Sequence, residues 1–170
     1  FIQHPKNAFE GIQKESLVDQ LTQVACDGFG TKMVRDDVEH HVLSAPMLYL
    51  MRLHGAVIGF SSYDMLVFGD QPILYLHGIV VKREFQKRGL FHQVNALALA
   101  IQNFDFLAMR TQNPVIYAST QRLVQQIFPN NADIPSEIKM LGKYIAHEYL
   151  HMEHFDENTF VGRMTYGKCL

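Results

Sequence analysis

The sequence has no tryptophan, only two cysteines and no long uninterrupted apolar run. Cys26 and Cys169 lie far apart, so they predict neither a disulfide framework nor a zinc knuckle, and such usage is typical of a reducing compartment. No stretch approaches the roughly 18 apolar residues of a membrane-spanning helix, and no signal peptide is evident. We therefore expect a cytoplasmic protein without membrane association.

An excess of charge of one sign is also lacking. The 15 Lys and Arg against 17 Asp and Glu give a formal net charge of −2, so no global field favours nucleic acid or an anionic membrane. With 170 residues, 48% of them hydrophobic, the chain is long enough to bury a core. We expect one domain over residues 1–170, with residues 1–14 as an N-terminal arm or a first strand.

Apolar periodicity predicts an order of elements that is typical of an α/β fold. Two helices are expected first, at residues 15–27 and 34–44. Three apolar runs follow, and short turns join them into an antiparallel meander: 47–53, 56–68 and 73–81. The remaining predictions are a helix at 90–102, a strand at 104–110, a helix from Pro114 to about Ile127, a largely helical stretch at 135–155 and a last strand at 159–165.

The segment 74–102 combines a buried strand, a basic connection and a helix that Gly89 opens. The first N–H groups of a helix have no intrahelical partner, and the helix dipole favours negative charge at that end. Basic residues concentrate just before this helix, namely Lys82, Arg83, Lys87 and Arg88. This pattern predicts a phosphate-binding turn.

The run Gln86-Lys87-Arg88-Gly89-Leu90-Phe91 resembles the Gln/Arg-x-x-Gly-x-Gly/Ala loop of the GCN5-related N-acetyltransferase (GNAT) superfamily. In that family the amides of the loop hold the pyrophosphate of acetyl-CoA. The strand before the loop and the order of the other elements also match the layout of the family. The sequence departs from the pattern at the last position, where Phe91 replaces a small residue.

The resemblance implies a GNAT-like fold, with a mixed, largely antiparallel sheet flanked by helices in a single domain. It implies an acyl-CoA-dependent N-acyltransferase that passes an acetyl group directly from acetyl-CoA to a primary amine of a small molecule or peptide. No metal is required in such a reaction, and we expect a monomer or a homodimer. The residues expected to contact the cosubstrate are Ile79, Val80 and Val81 along the pantetheine arm, Gln86 to Phe91 at the pyrophosphate, and Asn113 at the pantetheine.

Two residues of the central strand are candidates for the general base. In the family this group often lies two or four residues upstream of the strand's cofactor contacts, which indicates His77 and Tyr75. A histidine with an ordinary pKa of about 6.5 accepts a proton at neutral pH. Strand alternation predicts that His77 faces the same side as Ile79 and Val81. A purely structural, hydrogen-bonded histidine is the alternative for His77.

Tyr117 is the candidate that would protonate the leaving thiolate, because it is the tyrosine of the helix that Pro114 begins. It lies one turn earlier than the corresponding tyrosine of the family, and packing in the core is its alternative role. Asn113 precedes this helix, so it is also suited to cap the helix N-terminus.

Two other functions stay open at this stage. His147-Glu148-Tyr149-Leu150-His151 spells the H-E-x-x-H signature, in which two histidines four apart on one helix bind Zn²⁺ and the glutamate is the base of a hydrolase. A helix with its histidines in solvent is the simpler interpretation. A GNAT-like module that binds CoA without catalysis is the other alternative, and Phe91 is the residue that favours it.

Overall fold

The computed structural model describes residues 1–101, 104–130 and 132–163, which cluster into two compact units, Phe1–Arg110 and Thr111–Leu170. None of the helices in these ranges is long and apolar enough to cross a membrane. The elements of the first unit, in chain order, are β1 (Ile2–Gln3), α1 (Pro5–Ala8), α2 (Gly11–Phe29), α3 (Arg35–Leu43), β2 (Met47–Leu53), β3 (Ala56–Phe68), β4 (Gln71–Val81), a 3₁₀ turn (Arg83–Phe85), α4 (Leu90–Ile101) and β5 (Phe106–Met109).

The sheet of the first unit has the strand order β1-β2-β3-β4-β5. All neighbours are antiparallel except β4 and β5, which are parallel. The predicted meander is confirmed, and the prediction of a mixed, largely antiparallel sheet flanked by helices is confirmed with it. The first strand comes from the N-terminal segment, where Ile2 pairs with Leu48.

Helices cover both faces of this sheet because its strands alternate apolar residues between the two faces. Leu48 and Phe60 belong to a first core cluster, together with apolar residues of α2 and α3. Met47, Tyr49 and Tyr63 belong to a second core cluster, which α4 completes.

Helix α2 is longer than the predicted range of residues 15–27, since it begins at Gly11 and ends at Phe29. Gly30 has a φ of 71°, and its N–H donates to the carbonyl of Cys26 at 2.9 Å, which is the usual glycine cap of a helix C-terminus. Gly28 is required for close packing between α2 and β4. A Cβ at this position would lie 2.6 Å from Cγ1 of Val80, so only glycine lets α2 approach β4 so closely.

The second unit contains α5 (Pro114–Thr120), α6 (Ser136–Lys143), a π-helical turn (Tyr144–Tyr149) and a two-stranded antiparallel sheet of β6 (Phe155–Asp156) and β7 (Val161–Gly162). The prediction that α5 runs to about Ile127 is wrong. Tighter turns end it, with the N–H of Leu123 bonded to the carbonyl of Thr120 at 2.8 Å. Part of the predicted last strand, residues 164–165, lies outside the described residues, as do Gln102 and Cys169.

Candidate active site

Strand β4 carries a β-bulge close to the point where its pairing with β5 ends. Ser62 of β3 is opposite Gly78, whereas the next residue, Tyr63, is opposite Leu76, so His77 is the extra residue of the bulge. The parallel ladder with β5 runs only to the pair of Leu76 and Met109. From Gly78 to Val81, β4 continues beside β3 alone in the described ladder, which leaves its other edge open.

The hydrogen bonds at the end of β4 show which backbone groups face that open edge. Lys82 donates its N–H to the carbonyl of Ile58 at 2.9 Å, so Lys82 points toward β3. In an antiparallel pair successive residues alternate between the two edges. The N–H and C=O groups of Ile79 and Val81 therefore point away from β3, toward the open edge.

The bulge also decides which side chains of β4 share a face. The His77 ring packs edge-on against His41 of α3, with 5.7 Å between the ring centroids. Val80 belongs to the first core cluster on this face, whereas Ile79 packs against the second core cluster. The prediction that His77 faces the same side as Ile79 is therefore wrong, because the extra residue of the bulge shifts the alternation by one position.

A carboxylate from the neighbouring strand holds the His77 imidazole. Nε2 of His77 lies 3.1 Å from Oδ2 of Asp64, and about a quarter of each side chain is exposed, 25% and 24%. The Tyr75 ring contacts His77 edge-on at 5.3 Å between centroids, but Tyr75 itself is buried. Of the two candidates for the base, His77 is thus the one that a molecule in solvent can reach, and Asp64 orients it.

His41 adds a second imidazole to this cluster. Desolvation lowers the pKa of His41, and the positive potential of His77, Arg110 and His40 lowers it further. An imidazole in this setting favours the neutral form. The face of the sheet around the bulge thus carries two histidine rings and one carboxylate.

The pKa of His41 predicts how the stability of the protein depends on pH. As the pH falls below the ordinary value of 6.5, the unfolded chain binds a proton at His41 that the folded chain still excludes, so the free energy of unfolding decreases. The variant His41→Gln should lose less stability than the parent between neutral pH and about pH 5, by denaturant titration. His54→Gln, in an exposed turn, is the control and should follow the parent. If the free energy of unfolding fell equally with pH in the parent and in His41→Gln, the lowered pKa of His41 would be contradicted.

Polar contacts hold the loop after β4 in a fixed shape. The side-chain amide of Gln86 donates to the carbonyl of Val81 at 2.9 Å and to that of Gly28 at 3.1 Å. The N–H of Arg83 donates to Oδ2 of Asp27 at 2.7 Å. The Gln86 side chain, predicted to contact pyrophosphate, is therefore engaged with the backbone of the protein and fastens the loop to the ends of β4 and α2.

The loop then curves into the N-terminus of α4. Lys87 and Gly89 have φ values of 62° and 77°, and Gly89 supplies this conformation without steric cost. The N–H of Gln93 donates to the carbonyl of Gly89 at 3.0 Å, which is the first bond of the helix. The N–H groups of Leu90 and Phe91 precede that bond, so they are directed out of the helix end. This end of α4, beside the exposed side chains of Lys87 and Arg88, has the geometry of an anion site.

Phe91 fills the position that is small in the family loop. Its ring packs against the second core cluster, which includes Val94 of the same helix. The side chain is therefore directed toward the sheet, and only its backbone faces the N-terminal end of α4.

Asn113 and Tyr117 lie in the second unit. Oδ1 of Asn113 accepts from the N–H of Val115 at 2.9 Å, which confirms that Asn113 caps α5. The hydroxyl of half-buried Tyr117 donates to the carbonyl of Pro129. Their predicted roles toward a cosubstrate stay predictions.

The geometry that the H-E-x-x-H signature needs is not formed. The helical turn ends at Tyr149, and His151 follows it with a φ of 52°, so the two histidines do not share a helix face. Nδ1 of His147 instead contacts the carbonyl of Met152 at 2.9 Å. Within the described ranges no three potential ligands form a metal-binding group. The zinc-hydrolase alternative is not favoured.

Two substitutions test this conclusion. His147→Ala and His151→Ala should each leave catalytic turnover within about twofold of the parent, because both side chains are exposed. A calorimetric titration of the chelator-treated parent with Zn²⁺ should show no saturable micromolar site. Stoichiometric zinc binding that His147→Ala abolishes would contradict the geometry.

Comparison with known proteins rests on structure alone, since no family model and no curated protein matches the sequence. A GNAT family acetyltransferase from Staphylococcus aureus superposes with a TM-score of 0.51 and 16% identity, and the match covers 75% of this chain and 94% of that chain. A possible acetyltransferase from Clostridium difficile 630 gives a TM-score of 0.52 at 12% identity, over 72% of this chain and 90% of that chain. The chain has the GNAT fold.

A third match adds a ligand to the comparison. An aminoglycoside N-acetyltransferase in complex with CoA superposes with a TM-score of 0.53 at 18% identity, over 72% of this chain and 90% of that chain. At this level of identity the likeness concerns the GNAT fold and not the activity. The strand, loop and helix that carry the resemblance in sequence are β4, residues 82–89 and α4.

Proposed function

We propose that the chain is an N-acetyltransferase that uses acetyl-CoA as the acyl donor and transfers the acetyl group directly to a primary amine. The observation that carries the proposal is a juxtaposition within the first unit. The open edge of β4 is followed by residues 82–89 and then by the N-terminus of α4. His77, which Asp64 contacts, lies at the bulge where that edge begins. Solved structures with this fold include acetyltransferases, one of them in complex with CoA.

The backbone supplies the groups for the donor. The N–H and C=O groups of Ile79 and the N–H of Val81 can extend the sheet toward the amides of a pantetheine arm, as an added strand would, whereas the C=O of Val81 already accepts from Gln86. The N–H groups at the start of α4, with Lys87 and Arg88 nearby, suit a pyrophosphate. Asn113 is the candidate for a further hydrogen bond to the pantetheine, on the resemblance to the family.

Two side chains, His77 and Tyr117, are the candidates for the proton transfers. Acetyl-CoA supplies the thioester whose carbonyl carbon the amine attacks. His77 accepts the proton that the amine nitrogen loses as the new C–N bond forms, while Asp64 stabilises the resulting imidazolium. Tyr117 is the candidate that gives a proton to the thiolate when the C–S bond breaks. The proposed reaction uses no metal ion.

A depression of about 460 Å³ offers a location for part of the acceptor. Its lining includes Asp27, Lys32 and Arg83, between the C-terminus of α2 and the turn that follows β4. Charges of both signs suit a polar amine, such as a small molecule or a peptide. Structures with the same fold include a ribosomal-protein-alanine N-acetyltransferase and an aminoglycoside N-acetyltransferase, so both classes belong in a substrate screen.

Release of free thiol from acetyl-CoA tests the proposal. The protein is incubated with acetyl-CoA and a panel of polyamines, amino sugars and peptides with free N-termini, and the acetylated product is identified by mass. At least one amine should give turnover that His77→Ala lowers by about 100-fold or more at neutral pH. Tight CoA binding without turnover for any amine would favour a non-catalytic CoA-binding module, and the enzyme proposal would fail.

A further inference from the structure

A buried polar pair connects α4 to the central strand β3. The hydroxyl of Tyr63 donates to Oδ1 of Asn95 at 3.0 Å, and Nδ2 of Asn95 donates to the carbonyl of Phe91 at 2.8 Å. Both side chains are fully buried, with relative exposures of 0%. The two bonds thus form one chain from β3 through Asn95 to the first turn of α4.

A buried asparagine is an energetically unfavourable residue in the interior of a helix. Desolvation of its amide is unfavourable unless both ends are hydrogen-bonded, and an apolar residue of similar size would avoid the cost. Here the oxygen and the nitrogen both have partners. Desolvation also raises the pKa of Tyr63, whose hydroxyl is the donor to Asn95.

The position of the accepting carbonyl is the informative feature. In an α-helix the carbonyl of Phe91 already receives the N–H of the residue four positions later, which is Asn95 itself. The side chain adds a second donor to the same oxygen. Phe91 is also held by its ring in the second core cluster, so its side chain and its carbonyl are fixed from two directions.

We propose that Asn95, held by Tyr63, is a positioning residue that fixes the first turn of α4 for binding the pyrophosphate of CoA. This inference rests on the proposed function. The carbonyl of Phe91 shares its peptide plane with the N–H of His92, the last N–H before the first helical bond. A clamp on this carbonyl therefore fixes the N–H of His92 directly and holds the adjoining N–H groups of Leu90 and Phe91 through the same turn. Phe91 then compensates for the missing small residue of the loop, because its ring and its carbonyl anchor the turn to the core.

Two acyl donors separate positioning from general stability. Acetyl-CoA carries the pyrophosphate, and S-acetylpantetheine carries the same thioester and pantetheine arm without any phosphate. Asn95→Leu should raise the Kd for CoA by about tenfold, the size expected for a lost buried hydrogen bond and a loosened turn. Turnover with S-acetylpantetheine should stay within about twofold of the parent, because the phosphate-binding turn is not used by that donor.

Two further variants make the test specific. Tyr63→Phe removes one oxygen from β3 and should raise the Kd for CoA by about threefold, and it decides the question if Asn95→Leu does not fold. Thr22→Val is the matched control, since Oγ1 of Thr22 donates to the carbonyl of Val18, also four residues earlier, at 2.8 Å in α2. This control should leave both donors unaffected.

The outcomes distinguish the inference from the function on which it rests. The positioning role would be overturned if Asn95→Leu lowered turnover with S-acetylpantetheine by the same factor as it raised the Kd for CoA. It would also be overturned if the Kd for CoA were unchanged in both Asn95→Leu and Tyr63→Phe. A parent protein that binds CoA no more tightly than pantetheine would overturn the phosphate site itself, and the proposed function with it. A loss confined to the phosphate-bearing donor supports the inference.

Discussion

Replacing Gly89 with tryptophan is expected to weaken the binding of CoA by about 100-fold or more, which corresponds to the loss of two charge-assisted hydrogen bonds. Gly89 has a φ of 77°, and a Cβ at this position would meet only the side-chain nitrogen of Gln93, at 4.0 Å. The substitution therefore creates no clash at Cβ, and the indole is expected to cover the N–H groups at the start of α4. The Kd is measured by calorimetric titration.

A second glycine in the same backbone conformation provides the control. Gly69 lies in the turn before β4 with a φ of 61°, and no atom lies within 4 Å of its added Cβ. Tryptophan at either position imposes a similar conformational strain of roughly 1–2 kcal/mol on the folded state. Gly69→Trp should therefore share the loss of stability and keep the affinity for CoA. Equal affinities in the two variants would contradict the phosphate site.

Replacing His77 with alanine is expected to lower kcat at neutral pH by about 100-fold to 10,000-fold, the range typical of a lost general base. The loss should shrink at alkaline pH, because solvent then takes over the removal of the amine proton. Calorimetric titration should find the Kd for CoA unchanged, since the backbone of β4 and the N-terminus of α4 bind the donor. The measurement is a pH–rate profile of thiol release.

The neighbouring carboxylate separates the role of a base from that of a structural histidine. Asp64→Asn keeps the shape of the side chain that lies 3.1 Å from His77 but removes its charge. We expect a smaller loss of kcat than in His77→Ala, because the imidazole stays in place and loses only the carboxylate that orients it. A loss in His77→Ala that is the same at every pH would show that His77 only supports the structure.

Local signals in the sequence were sufficient for the elements around the site. The strand β4 and the helix α4 each have a strong apolar period, and Gly89 marks the boundary between the loop and the helix. Strand β3 begins and ends at its predicted residues, because His54-Gly55 and Gly69-Asp70 form clear turns on either side of it. The fold class follows from the order of these elements.

The geometry of the candidate site depends on register, which the sequence does not encode locally. The bulge at His77 changes which side chains share a face, and its position is a property of the pairing between β3 and β4. Asp64 is 13 residues before His77 and becomes its partner only through that pairing. His41 reaches the same face through the packing of α3, and neither residue carries a recognisable motif.

His147 and His151 show the limit of a sequence motif. Its three fixed letters left a helical zinc site open as an alternative, but the chain widens to a π-helical turn and then leaves the helix at Leu150. Sequence spacing gives the correct geometry only where the helix is regular. Asn95 illustrates the converse case, since an asparagine at a core position of α4 has no signal in the periodicity and yet joins the helix to Tyr63.

The most direct test of the central claim is a calorimetric titration of the purified, chelator-treated protein with acetyl-CoA. If β4 and the N-terminus of α4 bind the donor, binding should be saturable at micromolar concentrations, with one molecule bound per chain. Titrations with no saturable heat up to millimolar acetyl-CoA would contradict it, and would show that this GNAT fold serves another function.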